Sequence, residues 1–194
     1  MNRMIKTLTS KMRKLRFAVH EKGTVAMEFA LSLPIWITIL LGSTDVAYLM
    51  ILSQRVDRIA YSVTDIVTQS ETVTKNDLDN IFLAAGQLME PFTFGPDGVV
   101  IVSSLFKPSG LPQKISWQYA GGGTLARTSK IGIVGQTPTM PNGLVLNDNE
   151  NVIITEVYYA FKPMFINAGI LSAEDLYRVA VYKPRLSPLI TPPT

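Results

Sequence analysis

Gly23-Thr24-Val25-Ala26-Met27-Glu28-Phe29-Ala30-Leu31-Ser32-Leu33-Pro34-Ile35-Trp36-Ile37-Thr38-Ile39-Leu40-Leu41-Gly42-Ser43-Thr44 is the stretch that decides the fold. From Phe29 to Thr44 it carries no charge, and Val25 to Leu52 reads as one helix interrupted only by Glu28 and Asp45. At about 1.5 Å per residue those 28 residues reach roughly 42 Å. A bilayer's hydrocarbon core is about 30 Å thick, so the helix is long enough to cross it and continue beyond. Glu28 stands at the start of the span. Insertion scales put a central Asp at about 2.5–3.5 kcal/mol, and an acid kept at such depth usually has a partner and a role. Pro34 removes one backbone hydrogen bond and should bend the helix, which membrane helices tolerate.

Charge sets the orientation. Arg3, Lys6, Lys11, Arg13, Lys14, Arg16 and Lys22 precede Thr24 with one acid, Glu21, a net +6. The whole chain carries +3, so residues 24–194 carry −3. The basic end should stay in the cytoplasm and the acidic remainder should cross. The alkaline pI belongs to the leader and gives no ground for a nucleic-acid partner. A secretory signal peptide would have a shorter apolar region, and no small-x-small cleavage site follows this one. An uncleaved signal anchor is the plain alternative.

Gly23-Thr24-Val25-Ala26-Met27-Glu28-Phe29-Ala30, followed by Leu33-Pro34, resembles the N-terminus of the TadE/TadF-type pseudopilins. These are minor pilins of the tight-adherence (Tad, Flp or type IVb) pilus system, and the TadE-like TadG proteins share the pattern. Val152 to Phe165 and Ala180-Val181-Tyr182-Lys183-Pro184-Arg185 also resemble the family, although Lys183 stands where Arg is commoner. The likeness is sharp over residues 22–70, suggestive over 151–185 and absent between. It implies that a prepilin peptidase cuts between Gly23 and Thr24, leaving 171 residues with Glu28 as the fifth.

The chemistry suits that implication. A small Gly at the cut lets a protease approach the backbone. Cleavage exposes the Thr24 amine at the membrane boundary, and Glu28 of one subunit can pair with the Thr24 amine of another when helices stack with an offset. In low dielectric such a pair relieves two buried charges at once. The bland alternative is that Glu28 snorkels to the cytoplasmic headgroups, about one turn away. Phe29 completes the motif. Asp45 lies near the outer boundary beside Tyr48, a candidate interfacial aromatic; solvation there and an intersubunit contact are comparable readings.

Beyond the span, Val56, Ile59, Val63 and Ile66/Val67 recur at three- and four-residue steps, which predicts an amphipathic extension. Thr68 to Thr74 should end it. A second helix should follow, capped by Thr74 or Asn76, with Asp77 and Asp79 in its first turn and Pro91 closing it. Leu78, Ile81, Phe82, Ala85, Leu88 and Met89 form its apolar stripe. Strands are predicted over 98–106, 114–119, 151–161 and 176–183, the first two as a hairpin. The connection from Gly121 to about Glu150 should project as a surface loop, and Ile190 to Thr194 should be a loose tail.

The predicted organisation is a basic cytoplasmic leader over 1–23, cleaved; a transmembrane and extended helix over 24–70; and a periplasmic α+β domain over 71–194. The fold class is α+β and type IV pilin-like. About 120 residues beyond the helix are enough for one core. The chain has no Cys, and its one His, His20, lies in the leader, so a His-based triad, a His-based metal site and thiolate chemistry are unavailable to the cleaved chain. No catalytic residue, metal or cofactor is expected. Asn147 to Asn151 lacks the spacing of a calcium loop, and Glu174-Asp175 reads as cap and surface charge. The resemblance implies a minor pilin that supports pilus initiation and assembly, and is an enzyme's substrate instead of an enzyme. Its expected partners are the prepilin peptidase, other pilins of the same machine, the inner-membrane assembly platform and the lipid bilayer.

Overall fold

In the computed structural model the backbone is described for residues 2–165 and 174–194, and the side chains for the same residues apart from 2–22, 142 and 174. The elements are α1 (Asn2–Thr68), α2 (Lys75–Gln87), β1 (Gly98–Lys107), β2 (Lys114–Gly121), a 3₁₀ turn at Pro141–Gly143, β3 (Glu150–Phe161) and β4 (Glu174–Tyr182). The chain divides into two compact units, Met1–Val46 and Ala47–Thr194.

In the first unit α1 runs through Pro34 without losing its helical assignment. The apolar segment is exposed from Gly23 to Leu40 apart from a half-buried Ser32. Its hydroxyls return to their own helix: Ser32 Oγ to Phe29 O (3.1 Å), Thr38 Oγ1 to Pro34 O (2.8 Å) and Ser43 Oγ to Leu40 O (2.8 Å). Polar side chains satisfied in this way suit an apolar surrounding. Gly23–Thr68 is the one stretch among the described residues long and apolar enough to cross a membrane, a test that a signal sequence also passes. Asp45 is buried.

In the second unit the distal part of α1 packs on its own domain. Leu52, Val56, Ile59, Ala60, Val63 and Val67 are buried, whereas Ile66 is exposed. Thr74 begins α2 with a capping box, its hydroxyl accepting from Asp77 N (3.2 Å) while Asp77 accepts from Thr74 N (2.9 Å). Leu78, Phe82 and Ala85 face inward. Asp79 reaches across to Tyr119 OH (2.9 Å).

The sheet is antiparallel throughout, in the order β2-β1-β3-β4. Side chains alternate between its faces. Val100 and Val102 of β1, Trp117 of β2, Ile153, Val157, Tyr159 and Phe161 of β3, and Ala180 of β4 join the helices in one core. The opposite face carries Leu105, Ile115, Val152 and Ile154, with Ile131 and Leu146 of the long connection laid over them. That connection therefore covers the sheet, contrary to the projecting loop expected from its Gly and Pro content. It crosses the backbone so closely at Gly123 that an added Cβ would lie 2.1 Å from Gly98 O.

The tail also departs from expectation. Arg185 N donates to Thr68 O (2.9 Å), Leu189 is buried, and Lys75 N donates to the Thr194 oxygen (3.1 Å). Residues 185–194 are bound to the domain at several points, not loose.

Candidate processing and assembly site

The sequence motif lies wholly on one helix. Gly23, Thr24, Glu28 and Phe29 are exposed, and a Cβ added at Gly23 would meet nothing within 4 Å. Thr24 and Glu28 are four residues apart and share one face of α1. Phe29 is 64% exposed and Trp36 66%, so the motif opens a continuous apolar surface. The basic residues 3–22, which carry the charge argument, have side chains outside the described residues. The arrangement offers a small residue at an open backbone position, one carboxylate one turn inside, and unscreened apolar side chains after it. Among the described residues no cluster of three or more His, Cys, Asp or Glu could hold a metal.

The domain fixes the distal half of α1 by charge as well as by packing. Arg178 Nε of β4 pairs with Asp57 Oδ1 (2.9 Å) and its guanidinium also donates to Ser53 Oγ. Arg185 pairs with Asp65, and Arg55 Nη1 donates to Leu88 O of the turn after α2 (2.9 Å). Partly exposed ion pairs contribute about 0–1 kcal/mol each. Their effect is azimuthal: they choose which side of α1 meets the sheet and leave Ile51, Tyr61 and Ile66 facing out.

A second polar group was missed at the sequence level. Glu156 of β3 is fully buried beneath the long connection. Its carboxylate accepts from Lys130 N (2.9 Å), Tyr177 OH (3.0 Å) and Ser129 Oγ. Tyr158 OH lies 3.2 Å from Glu156 Oε1 and 3.1 Å from Thr128 O, so its one proton serves either acceptor. Lys130 Nζ stands 4.1 Å from the centroid of the Tyr177 ring. Burial first, and then the charge of Glu156, push the Tyr158 and Tyr177 hydroxyls well above the ordinary phenol range. Burial also pushes Tyr159 up to about 12. Nearby, hydrogen bonding from Arg127 holds the Asp175 carboxyl below its usual range. The cluster pins residues 127–131 to the sheet. The available signal was a lone acid inside the apolar run Val152-Ile153-Ile154-Thr155-Glu156-Val157.

A long apolar helix with an acid near its start, continuing into a domain where two helical segments cover one face of a four-stranded antiparallel sheet, is a pilin-like α+β architecture. Residues 23–64 match the model of the family described as TadE-like protein. Over that segment the chain is similar to the TadE-like family. Neither a curated protein nor a solved structure matched the chain.

Proposed function

We propose that this chain is a minor pilin, or pseudopilin, that supports initiation and assembly of a Tad pilus. The observation that carries the reading is the TadE-like match, which begins at Gly23 and runs along the exposed apolar helix. On this reading the helix anchors the chain once in the inner membrane, with its basic end in the cytoplasm and residues 71–194 in the periplasm. A prepilin peptidase cuts between Gly23 and Thr24. The freed Thr24 amine then donates to the Glu28 carboxylate of a neighbouring subunit. Both groups lie on one face of α1, which supports a helix-to-helix exchange of this pair under axial offset. Other pilins of the machine and its inner-membrane platform are the partners, and Pro34 gives the packed helices a point of bending.

The test is Glu28→Leu. A carboxylate that only snorkels is dispensable, and the variant then inserts and functions as well as the parent. A carboxylate that neutralises a neighbour's amine is not, because one buried charge would be left alone, at a cost of about 3–5 kcal/mol. The variant should insert and be cut normally, yet lose co-purification of other pilus components and surface piliation. Wild-type piliation from cells carrying only Glu28→Leu rejects the mechanism. A phosphatase fused after Thr194 should be active outside the cytoplasm, and activity confined to the cytoplasm rejects the topology.

A further inference from the structure

The segment from Pro184 to Thr194 holds four prolines, at 184, 188, 192 and 193, each without an amide N–H, and it forms neither helix nor strand. It leaves β4 and is attached at separate points. Arg185 binds the end of α1 through its N–H to Thr68 O (2.9 Å) and its guanidinium to Asp65. Ser187 Oγ donates to Glu71 O (2.5 Å). The Thr194 oxygen takes the Lys75 N–H at the start of α2 (3.1 Å).

The central attachment is of a different kind. Leu189 N donates to Asn151 Oδ1 (2.8 Å), and Leu189 O accepts from Ser104 Oγ (2.5 Å) and Trp117 Nε1 (2.8 Å). Those three side chains come from β3, β1 and β2, and all are buried. Asn151 is itself held from behind, its Nδ2 donating to Ser104 Oγ (3.0 Å) and Leu105 O (2.7 Å). The sheet thus presents a prearranged acceptor and two prearranged donors to the N–H and C=O of one residue, while the Leu189 side chain enters the core. Recognition is of main chain plus one apolar anchor. Open space borders the segment on both sides: a cavity of about 440 Å³ toward residues 71–74, and one of about 120 Å³ beside Asn149, Lys183 and Leu186.

We infer that Ser104, Trp117 and Asn151 form a peptide-binding slot for a proline-flanked chain with one apolar residue. Residues 184–194 are its resident ligand, a releasable strap that ties the end of α1 and the start of α2 to the sheet. Point attachment with voids on either side makes the strap a unit of low local stability, separable from the hydrogen-bonded strands beneath it.

The two tryptophans are Trp36 and Trp117, so Trp36→Phe leaves Trp117 as the only indole and a direct reporter of the slot. In full-length protein in detergent, Leu189→Asp in that background should shift Trp117 emission to the red. Amide exchange should rise at 185–194, 66–72 and 75–78, with the β1–β3 ladder still protected. A labelled synthetic peptide of residues 183–194 should bind this variant and restore the blue emission. The peptide should bind the parent at least tenfold more weakly, because its slot is filled, and should not bind once Asn151→Leu is added. Exchange that rises over the whole sheet would show that the segment is an inseparable part of the core and overturn the inference, as would failure of the peptide to bind. Trp117→Phe, which keeps an aromatic side chain while removing the indole N–H and some volume, supplies the milder check in otherwise parental protein. It should raise exchange at 185–194 alone, and unchanged exchange there also overturns the slot.

Discussion

Glu156→Leu is the substitution whose cost the structure specifies most fully. Glu156 has no exposed surface, and its carboxylate is the acceptor for Lys130 N–H, Tyr177 OH and Ser129 Oγ. Leucine is near in volume, so no large cavity opens, and the loss is electrostatic. Hydrogen bonds to a charged group contribute about 1.5–3 kcal/mol each. The donors left behind are not stranded for long, because the connection that carries Ser129 and Lys130 can lift and hydrate them. Lifting it uncovers Ile131, whose burial contributes about 1.5–3 kcal/mol and which is 2% exposed. The cost is therefore set by the two hydrogen bonds from Ser129 and Lys130 or by undocking of the connection, whichever is smaller, and comes to about 2–3 kcal/mol. Glu156→Gln keeps one acceptor oxygen and should lose less, about 1–2 kcal/mol. Urea denaturation of full-length protein in detergent, followed by Trp117 emission in a Trp36→Phe background, measures both. Amide exchange should also quicken at 128–132 in the Leu variant. A midpoint unchanged by Glu156→Leu, with those amides still protected, would refute the assignment of the carboxylate as the pin.

Gly123→Ala should be among the most damaging small changes, costing about 3 kcal/mol or more, because its Cβ meets the backbone oxygen of Gly98 at 2.1 Å and that of Gly95 at 2.6 Å; a thermal midpoint within a degree of the parent would contradict this. Tyr158, Tyr159 and Tyr177 have raised pKa values when folded, so the protonated form is favoured by folding. Above pH 10, the unfolded phenol value, the unfolded chain releases more protons than the folded one, and stability falls as pH rises. Phenolate absorbance should show these three ionising only with unfolding, and early ionisation of all tyrosines in folded protein would oppose it.

Much of the architecture was legible because its signals are local. The charge-free run after Glu28 marks a membrane-length helix by length alone. The second helix announced itself through Thr74 and Asp77, a cap and an acid at the spacing of the capping box found in the structure. Apolar runs, and the polar–apolar alternation of 114–119, located all four strands, whose observed ends lie within two residues of those predicted. What was not legible depends on contacts distant in the chain. Ile131 and Leu146 lie among Gly and Pro with no helical or strand period, so nothing local told that the connection folds back over the sheet. The prolines of 184–194 read as a loose tail, since the slot that binds Leu189 is assembled from three strands. Glu156 gave only the sign of an acid in an apolar strand; its partners lie in the connection and on β4.

The most direct test of the proposed processing is the residue at which the chain begins in the membrane. Intact-mass measurement of the protein extracted from membranes of cells with an active prepilin peptidase should give a chain starting at Thr24, and Gly23→Trp should abolish that species while leaving the protein in the membrane. A chain that keeps residues 1–23 in such cells would contradict the central claim.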